Sequence, residues 1–350
     1  MTAPVTHILP LTHIHRSRML PGKGQVLVQA GQKVIATDRI AETTLTGEHV
    51  LIDVRQALGL HSLSQAHRLI DRKPGERVEK GDILAQTGRL LSRVIRTPVD
   101  GQIISIHHGQ VLIEKKGAVS SVLAGINGVV SEVLPERGAI IDSFGALIQG
   151  VWGNCKVNTG KLFCASYSGS EELTRSNLDF SLRGYVIFAG YVSQADALIA
   201  ADEMPLRGLI LGSMAADLIP IAMQVQYPIL LTEGFGRTPI NNNALDLLKT
   251  HDQLELSIDA NWDAFHRTPR PELVIPLPGE GPILPESVEF SKGQTVRVNV
   301  PPYAGQIGLL TSIRPGLTRI QNGLRIPAAD ITLVDNQVIT LPLANLDVLE

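Results

Sequence analysis

An internal repeat in its first third is the feature that most constrains how this 350-residue chain folds. Each copy reads as a glycine turn, a strand of alternating apolar residues and a second turn at an aspartate, which is typical of hairpins. The repeat predicts a β-rich region over residues 1–150, closed as one barrel or as two. Five residues of the first copy recur 44 positions later: Gly31, Val34, Asp38, Ile40 and Ala41 return as Gly75, Val78, Asp82, Leu84 and Ala85.

Two segments in this region resemble a known family. Residues 73–85 (KPGERVEKGDILA) resemble the first half-motif of biotinyl/lipoyl-type, or barrel-sandwich hybrid, domains, and residues 96–106 (RTPVDGQIISI) resemble the strand that begins their second half. The resemblance implies a barrel-sandwich-like fold over residues 20–115. Whether residues 116–150 belong to the same domain or to a separate one stays open.

The carrier chemistry of that family depends on a lysine at the tip of the hairpin between the halves. Here the tip, residues 87–93, reads TGRLLSR and contains no lysine. Because arginine cannot be acylated in that role, we expect neither biotin nor lipoate, and we carry over the fold alone.

The middle of the chain alternates short apolar strands with helices. We predict strands at 184–189, 207–211, 227–232 and 254–258, and helices at 193–203, 215–225 and 241–251. This order is typical of a small parallel sheet covered by helices, which we assign to residues 151–267. The segments ADAL (195–198), GLILG (208–212) and YPILLT (227–232) loosely resemble DRTGG-type regulatory domains.

The last part of the chain follows a proline-rich stretch. Residues 268–285 hold six prolines, which predicts a linker. Residues 293–298 (GQTVRV) and 301–310 (PPYAGQIGLL) then resemble a KOW motif, so residues 286–350 are similar to the SH3-like barrels of transcription elongation factors and some ribosomal proteins. Such barrels bind RNA in some proteins and protein surfaces in others.

Charge is distributed unevenly along the sequence. Residues 1–125 carry 16 Lys and Arg against 10 Asp and Glu, residues 126–284 carry 10 against 18, and residues 285–350 carry 5 against 6. The KOW-like tail therefore lacks the basic excess of a typical nucleic-acid barrel. Candidate contacts to nucleic acid or to a partner are Arg89, Arg93 and Arg96 on the predicted hairpin and Arg297 and Tyr303 in the tail, and a solvated β-face is the alternative.

A candidate ligand site lies where the predicted parallel strands end, because ligands collect outside the carboxyl ends of such strands. The ligand-binding candidates there are Ser213, Glu233, Gly234, Gly236 and Arg237. The alternative is that these residues form glycine turns and that Asn241, Asn242 or Asn243 caps the following helix without a ligand.

No complete catalytic or metal motif stands out. Residues 153–161 depart from the P-loop spacing, and Cys155 and Cys164 read as free thiols. His13 and His15 would point to one side of a strand, but no HExxH or carboxylate triad accompanies them, so we interpret them as a solvated pair. We therefore predict no catalytic residue and no metal ligand.

The sequence also lacks obvious targeting signals. Charged and histidine residues interrupt the first 20 positions, so we expect no signal peptide. The apolar stretch 208–232 is interrupted by two prolines and two glutamines, so we expect no membrane span but a soluble, cytoplasmic protein.

Together these patterns predict a multidomain, β-rich protein with a barrel-sandwich-like domain, a small α/β domain and a C-terminal SH3-like β-barrel. We predict a non-enzymatic adaptor or assembly protein with a protein partner or a homo-oligomer. A nucleic-acid-associated factor using the KOW-like barrel, and a ligand-sensing α/β domain, are the alternatives.

Overall fold

The computed structural model describes residues 2–45, 47–87, 93–263, 270–281, 287–320 and 322–349, and these ranges are rich in β-structure. The strands up to residue 149 are β1 (Thr2–Thr6), β2 (Ile8–Met19), β3 (Gln25–Val26), β4 (Lys33–Val34), β5 (Arg39–Thr44), β6 (His49–Asp53), β7 (Arg77–Val78), β8 (Ile83–Gln86), β9 (Val94–Arg96), β10 (Gly101–His107), β11 (Gln110–Lys115), β12 (Val119–Leu123), β13 (Gly128–Leu134) and β14 (Gly138–Gln149).

The remaining strands are β15 (Trp152–Gly153), β16 (Val157–Cys164), β17 (Tyr185–Val192), β18 (Gly208–Met214), β19 (Ile229–Phe235), β20 (Glu255–Asp259), β21 (Glu272–Pro276), β22 (Ser287–Glu289), β23 (Thr295–Val298), β24 (Ile307–Ile313), β25 (Thr318–Arg319), β26 (Arg325–Ile326), β27 (Ala328–Leu333), β28 (Val338–Pro342) and β29 (Leu346–Leu349). The α-helices are α1 (Val54–Leu58), α2 (Leu63–Arg68), α3 (Ala195–Glu203), α4 (Ile219–Ala222) and α5 (Asn242–Thr250).

The chain divides into two compact units. One comprises residues 1–19, 26–40 and 122–350, and the other comprises residues 20–25 and 41–121. The second unit is thus inserted into the sequence of the first. The two copies of the repeat fall on different sides of this division, because residues 31–40 lie in the first unit and residues 75–85 in the second.

Each copy forms its own four-stranded antiparallel arrangement with the same strand order. In the inserted unit the order is β6-β11-β10-β7, which we call the inner module. In the first unit the order is β2-β14-β13-β4, which we call the outer module. Both central hairpins carry a register shift at the same place, between Ile103 and Ser105 in one and between Val130 and Glu132 in the other.

The repeated glycine and aspartate make the same contacts in both modules. Gly31 and Gly75 adopt left-handed backbone angles, with φ of 82° and 87°. The Asp38 carboxylate accepts a hydrogen bond from the Ile35 amide at 2.9 Å, and the Asp82 carboxylate accepts one from the Glu79 amide at 3.1 Å. Asx-type bonds of this kind close tight turns, so the repeat encodes a turn geometry as well as a core.

Separate apolar cores support the two modules. The outer core contains Val34, Ile40, Val130 and Ile141, and the inner core contains Val78, Leu84, Ile103 and Ile113 at the equivalent positions. Burial of these alternating residues is the main driving force for each module.

The predicted α/β segment has its strands and helices close to the expected positions, but its sheet differs from the expectation. β16, β17, β18 and β19 are parallel, and β16 was not foreseen as one of them. The expected fourth parallel strand, β20, runs antiparallel to β16, because the order of the elements predicts that a fourth strand exists without fixing its direction. Helices cover both faces, with α3 and α4 on one and α5 on the other.

This sheet is also larger than expected, since it continues through β20 and β21 into β14, β13 and β4. β21 lies within residues 268–285, where proline content predicts a linker. Leu273, Val274 and Ile275 of β21 are fully buried or nearly so; all three pair with β14, and Leu273 and Val274 also pair with β20. This part of the stretch is therefore a core strand, because its apolar run outweighs the flanking prolines.

The C-terminal strands form a seven-stranded sheet in the order β22-β1-β29-β23-β24-β27-β28. β1 belongs to this sheet rather than to the β-rich region of residues 1–150, because it runs parallel to β29 and antiparallel to β22. Ala3 packs in the C-terminal core, which explains why the first strand joins the last.

Candidate functional site

The candidate ligand residues at the strand ends lie close together, but their polar side chains form hydrogen bonds with other residues of the chain. Ser213 on β18 lies in register with Gly234 on β19. The Ser213 hydroxyl donates to the Thr238 carbonyl at 2.8 Å and accepts from the Thr238 amide at 3.0 Å. Gly234 and Gly236 have φ of 104° and 115°, which suits the turn that leads to Thr238.

Each oxygen of the Glu233 carboxylate has a hydrogen-bond partner within the chain. It accepts a hydrogen bond from the Asn241 amide at 3.0 Å and one from Arg297 Nη2 at 2.8 Å. The side chains of Glu233 and Arg297 are each only 2% exposed. Arg297, a candidate contact to nucleic acid or to a partner, is therefore not at the surface of the chain, because its guanidinium is buried against a carboxylate that was expected to bind a ligand.

Arg237 and Gly236 stay exposed, and the Arg237 guanidinium lies 5.6 Å from the centre of the Tyr191 ring. Two further carboxylates near these strand ends accept hydrogen bonds from serines, Glu171 from Ser166 and Glu172 from Ser193. Burial opposes ionisation of Glu171, but hydrogen bonds from Ser166 and Ser168 outweigh it and lower its pKa to about 2. The polar side chains at the strand ends thus form hydrogen bonds within the chain.

The hairpin arginines are only partly described. Arg89 lies outside the described residues, whereas Arg93 donates to the Leu58 carbonyl at 3.2 Å and Arg96 to the Gly81 carbonyl at 2.7 Å. Tyr303 is half-buried against the C-terminal core. These residues do not form one surface cluster among the described contacts.

A concave site lies in each of the two modules, and sequence reasoning foresaw neither. The inner cleft, in the inner module, has a volume of about 840 Å³. Its lining is strongly charged: Arg77, Glu79, Asp82, Asp100, Glu114, Lys115 and Lys116, with Gln102. The outer cleft, in the outer module, has a volume of about 530 Å³. Its lining is mainly apolar: Val34, Ile35, Val129, Phe144, Pro276 and Leu277, with Lys33, Asp38, Asn127, Asp142 and Ser143.

The two clefts are built from equivalent positions. The turn registers and strand pairings match Lys33 with Arg77, Ile35 with Glu79, Asp38 with Asp82, Asn127 with Asp100, Val129 with Gln102 and Asp142 with Glu114. Gly145 and Gly117 also correspond: a Cβ on the first would lie 2.0 Å from the Ile275 carbonyl oxygen, and one on the second 1.7 Å from the Leu45 carbonyl oxygen. The cleft is therefore a duplicated feature whose lining differs.

A histidine–carboxylate pair stands at the same register in both modules. His15 lies opposite Asp142, and His49 lies opposite Glu114. In the outer module His15 Nδ1 is 2.6 Å from Asp142 Oδ1, and His13 Nε2 is 3.6 Å from Asp142 Oδ2. Both histidines thus contact a carboxylate that lines a cleft; His15 is exposed, as expected of a solvated residue, whereas His13 is half-buried.

The His13 ring also stacks on Phe144, with ring centres 4.4 Å apart. The alternation of His13 and His15 on a strand was the available signal, because residues two apart share a face. Their partners Asp142 and Phe144 are more than 125 positions away, so only the register of β2 on β14 brings these groups together.

The opposite face of β2 carries arginines that enter buried ion pairs. Arg16 binds Glu272 through two hydrogen bonds of 2.8 and 2.6 Å, and Arg18 binds Asp259 at 2.8 Å. Burial opposes ionisation of Glu272, but Arg16 outweighs it and lowers the pKa of that carboxyl. Burial raises the pKa of Asp259, although Arg18 opposes it. These pairs fix β2 to β20 and β21.

In the described ranges, no group of three or more His, Cys, Asp or Glu side chains is arranged to hold a metal ion. None of the described helices is both long and apolar enough to cross a membrane. Cys164 is buried, which raises the pKa of its thiol to about 12, and Cys155 is exposed.

No protein-family model matches the chain, and no curated protein is significantly similar to it.

Proposed function

We propose that the protein is a non-enzymatic adaptor that binds one partner through the outer cleft and a different one through the inner cleft. The observation that carries this proposal is the equivalence of the two clefts in position combined with the contrast in their lining. Two clefts with the same backbone geometry but different lining residues can bind two different partners in one chain.

The contrast is sharpest at two pairs of exposed residues. Ile35 and Val129 of the outer cleft are 48% and 39% exposed, where the inner cleft has Glu79 and Gln102. Large apolar side chains left this exposed in a concave site favour burial against a partner. The inner cleft instead favours a partner with complementary charges.

The outer cleft offers little for catalysis, although two histidines contact its Asp142. A nucleophilic hydroxyl needs a hydrogen bond to its base. Ser143 lines this cleft, yet among the described contacts its hydroxyl makes no hydrogen bond to His13 or His15. This supports a binding role. The burial of Arg297 supports a protein partner over a nucleic acid for the C-terminal sheet.

Reciprocal substitutions test the proposal, because each cleft supplies the control for the other. The double variant Ile35→Glu with Val129→Gln gives the outer cleft the inner lining, and Glu79→Ile with Gln102→Val does the reverse. All four positions are exposed, so we expect unfolding midpoints to stay close to that of the unchanged chain.

The measurement is affinity purification of the full chain from a lysate, with and without nuclease, followed by mass spectrometry and light scattering. We expect each double variant to lose one stoichiometric protein partner, or one self-association contact, and to keep the other. Loss of the same partner from both variants, no loss from either, or retention that nuclease abolishes would overturn the proposal.

A further inference from the structure

We propose that the outer cleft takes an apolar group that carries a positive charge, an alkylammonium being the simplest example. This inference rests on the proposed function, since it assumes that the outer cleft is a binding site. It concerns the chemistry of the occupant, which the contrast between clefts leaves open.

The walls select an apolar body. Val34, Ile35, Val129, Phe144 and Leu277 line the cleft, and its volume of about 530 Å³ lies within the range of small-molecule sites. The amide side chain of Asn127 bonds to other groups of the chain: it accepts from the Ala36 amide at 2.9 Å and donates to the Thr159 hydroxyl at 3.2 Å. An occupant therefore meets mainly carbon at the centre of the cleft.

The charged groups at the edge of the outer cleft favour an occupant with a positive charge. Two carboxylates, Asp38 and Asp142, line the cleft against one ammonium, that of Lys33. Asp142 is 24% exposed at its side chain, and Asp38 is half-buried, whereas Lys33 is exposed. Because exposure to water screens a charge more strongly, the two carboxylates outweigh the lysine inside the cleft.

Neighbouring groups hold both carboxylates in place. Asp38 accepts a hydrogen bond from the Ile35 amide at 2.9 Å, and Asp142 Oδ1 lies 2.6 Å from His15 Nδ1. Phe144 adds an aromatic ring to the same wall, and aromatic rings attract cations. Charge and ring chemistry point to the same occupant.

The test uses the full chain at pH 8 with the neutral dye N-phenyl-1-naphthylamine, whose fluorescence rises in apolar sites. Octylammonium, octanol and octanoate share one chain length and differ in the charge of the head group. We expect them to displace the dye in that order, with roughly a two- to fivefold difference in the displacing concentration at each step.

Variants locate the effect. Ile35→Glu should abolish dye binding, whereas Glu79→Ile at the equivalent inner position should preserve the dye displacement by all three compounds. Asp142→Asn should remove the preference for octylammonium over octanol, and the matched inner variant Glu114→Gln should keep it. Circular dichroism spectra should confirm that each variant is folded.

Octanoate displacing the dye at the lowest concentration, or an undiminished ammonium preference in the Asp142→Asn variant, would overturn the inference while leaving the adaptor proposal standing. Dye binding that survives Ile35→Glu would also overturn it. Failure of the proposed function would appear separately, as unchanged partner retention in the reciprocal double variants.

Discussion

The outer and inner modules share a strand order, a bulge, a turn and a cleft, yet they differ in what surrounds those features. The residues common to both are glycines, core aliphatics and the turn aspartates, such as Asp38 and Asp82. The residues that differ line the clefts or face neighbouring strands. The comparison teaches that backbone geometry here depends on few positions, which leaves the lining free to set specificity.

Support from the rest of the chain is the second difference. At the position where the outer module has Arg16, paired with Glu272, the inner module has Val50 opposite Ile113. The outer module is thus held by buried ion pairs to neighbouring strands of the large sheet, whereas the inner module relies on its own core.

The largest expected effect tests whether the two clefts are truly equivalent. Gly145→Ala and Gly117→Ala each place a Cβ against a carbonyl oxygen of the adjacent strand, so we expect each to lower the free energy of unfolding by more than about 4 kcal/mol. Guanidinium denaturation followed by circular dichroism measures this.

Gly31→Ala and Gly75→Ala serve as matched controls for these glycines. Both positions have left-handed φ but nothing within 4 Å of the added atom, so only about 1–2 kcal/mol of backbone strain is expected. If Gly117→Ala behaved like Gly75→Ala, the equivalence of the clefts would fail.

A smaller effect tests the difference in support. Arg16→Met leaves Glu272 buried without its bidentate partner, which we expect to destabilise the protein by about 3 kcal/mol. Val50→Met at the equivalent inner position should cost less than about 1.5 kcal/mol. The double variant Arg16→Met with Glu272→Met should recover much of the loss in the same denaturation measurement; additive losses would contradict a specific pair.

The two repeated aspartates should contribute similarly to the free energy of unfolding. Asp38→Ala and Asp82→Ala each remove one carboxylate that accepts a turn amide, and we expect each to cost about 1 kcal/mol. Unfolding midpoints that differ widely between the two variants would show that one turn matters more than the other, against the similarity of their contacts.

The smallest effect distinguishes the modules by pH. Gln32 closes the outer turn by accepting from the Gln29 amide, and Glu76 closes the inner turn by accepting from the Lys73 amide. Hydrogen bonds from Arg72 and the Lys73 amide lower the pKa of Glu76, so its contribution is present above pH 4.5 and is lost as the pH falls through the lowered value.

Between pH 5 and pH 3 the protection factors of the inner-turn amides, which correct for the slower intrinsic exchange at low pH, should therefore fall as the pH is lowered, and those of the outer-turn amides should not. Glu76→Gln, which installs the outer residue, should remove the difference. A similar acid response in the variant would rule out Glu76 as its source.

The first half of each module could be read from the sequence because both copies keep their spacing of 44 positions. The second half of the inner module resembles a known motif, but its equivalent in the outer module was not recognised, because the insertion reverses the order of the second halves and Gly101 and Gly128 match at a different offset. The dipeptides Asp100-Gly101 and Asn127-Gly128 were the available signal, since both are strong turn formers. Local turn chemistry is thus visible in a sequence, whereas nesting is not.

The candidate site was less accessible to sequence reasoning for a physical reason. Glu233 and Arg297 were both noticed, but as parts of separate surfaces, and their pairing depends on a contact across 64 positions. The clefts have no motif, because cross-strand register places residues such as Ile35 and Phe144 together. The periodicity of apolar residues and the turn residues predict where strands lie, but they do not predict which strands pair with each other.

The nesting of one module within the sequence of the other affects the order in which they fold. Val78 and Gly101, which pair in the inner module, are 23 positions apart, whereas Val34 and Gly128 in the outer module are 94 apart. Short loops close at a lower entropic cost and faster, so the inner module should form first, and its completion brings the ends of the outer module closer. During synthesis the last inner strand also leaves the ribosome before the strands that complete the outer module, so folding proceeds from the inside outward.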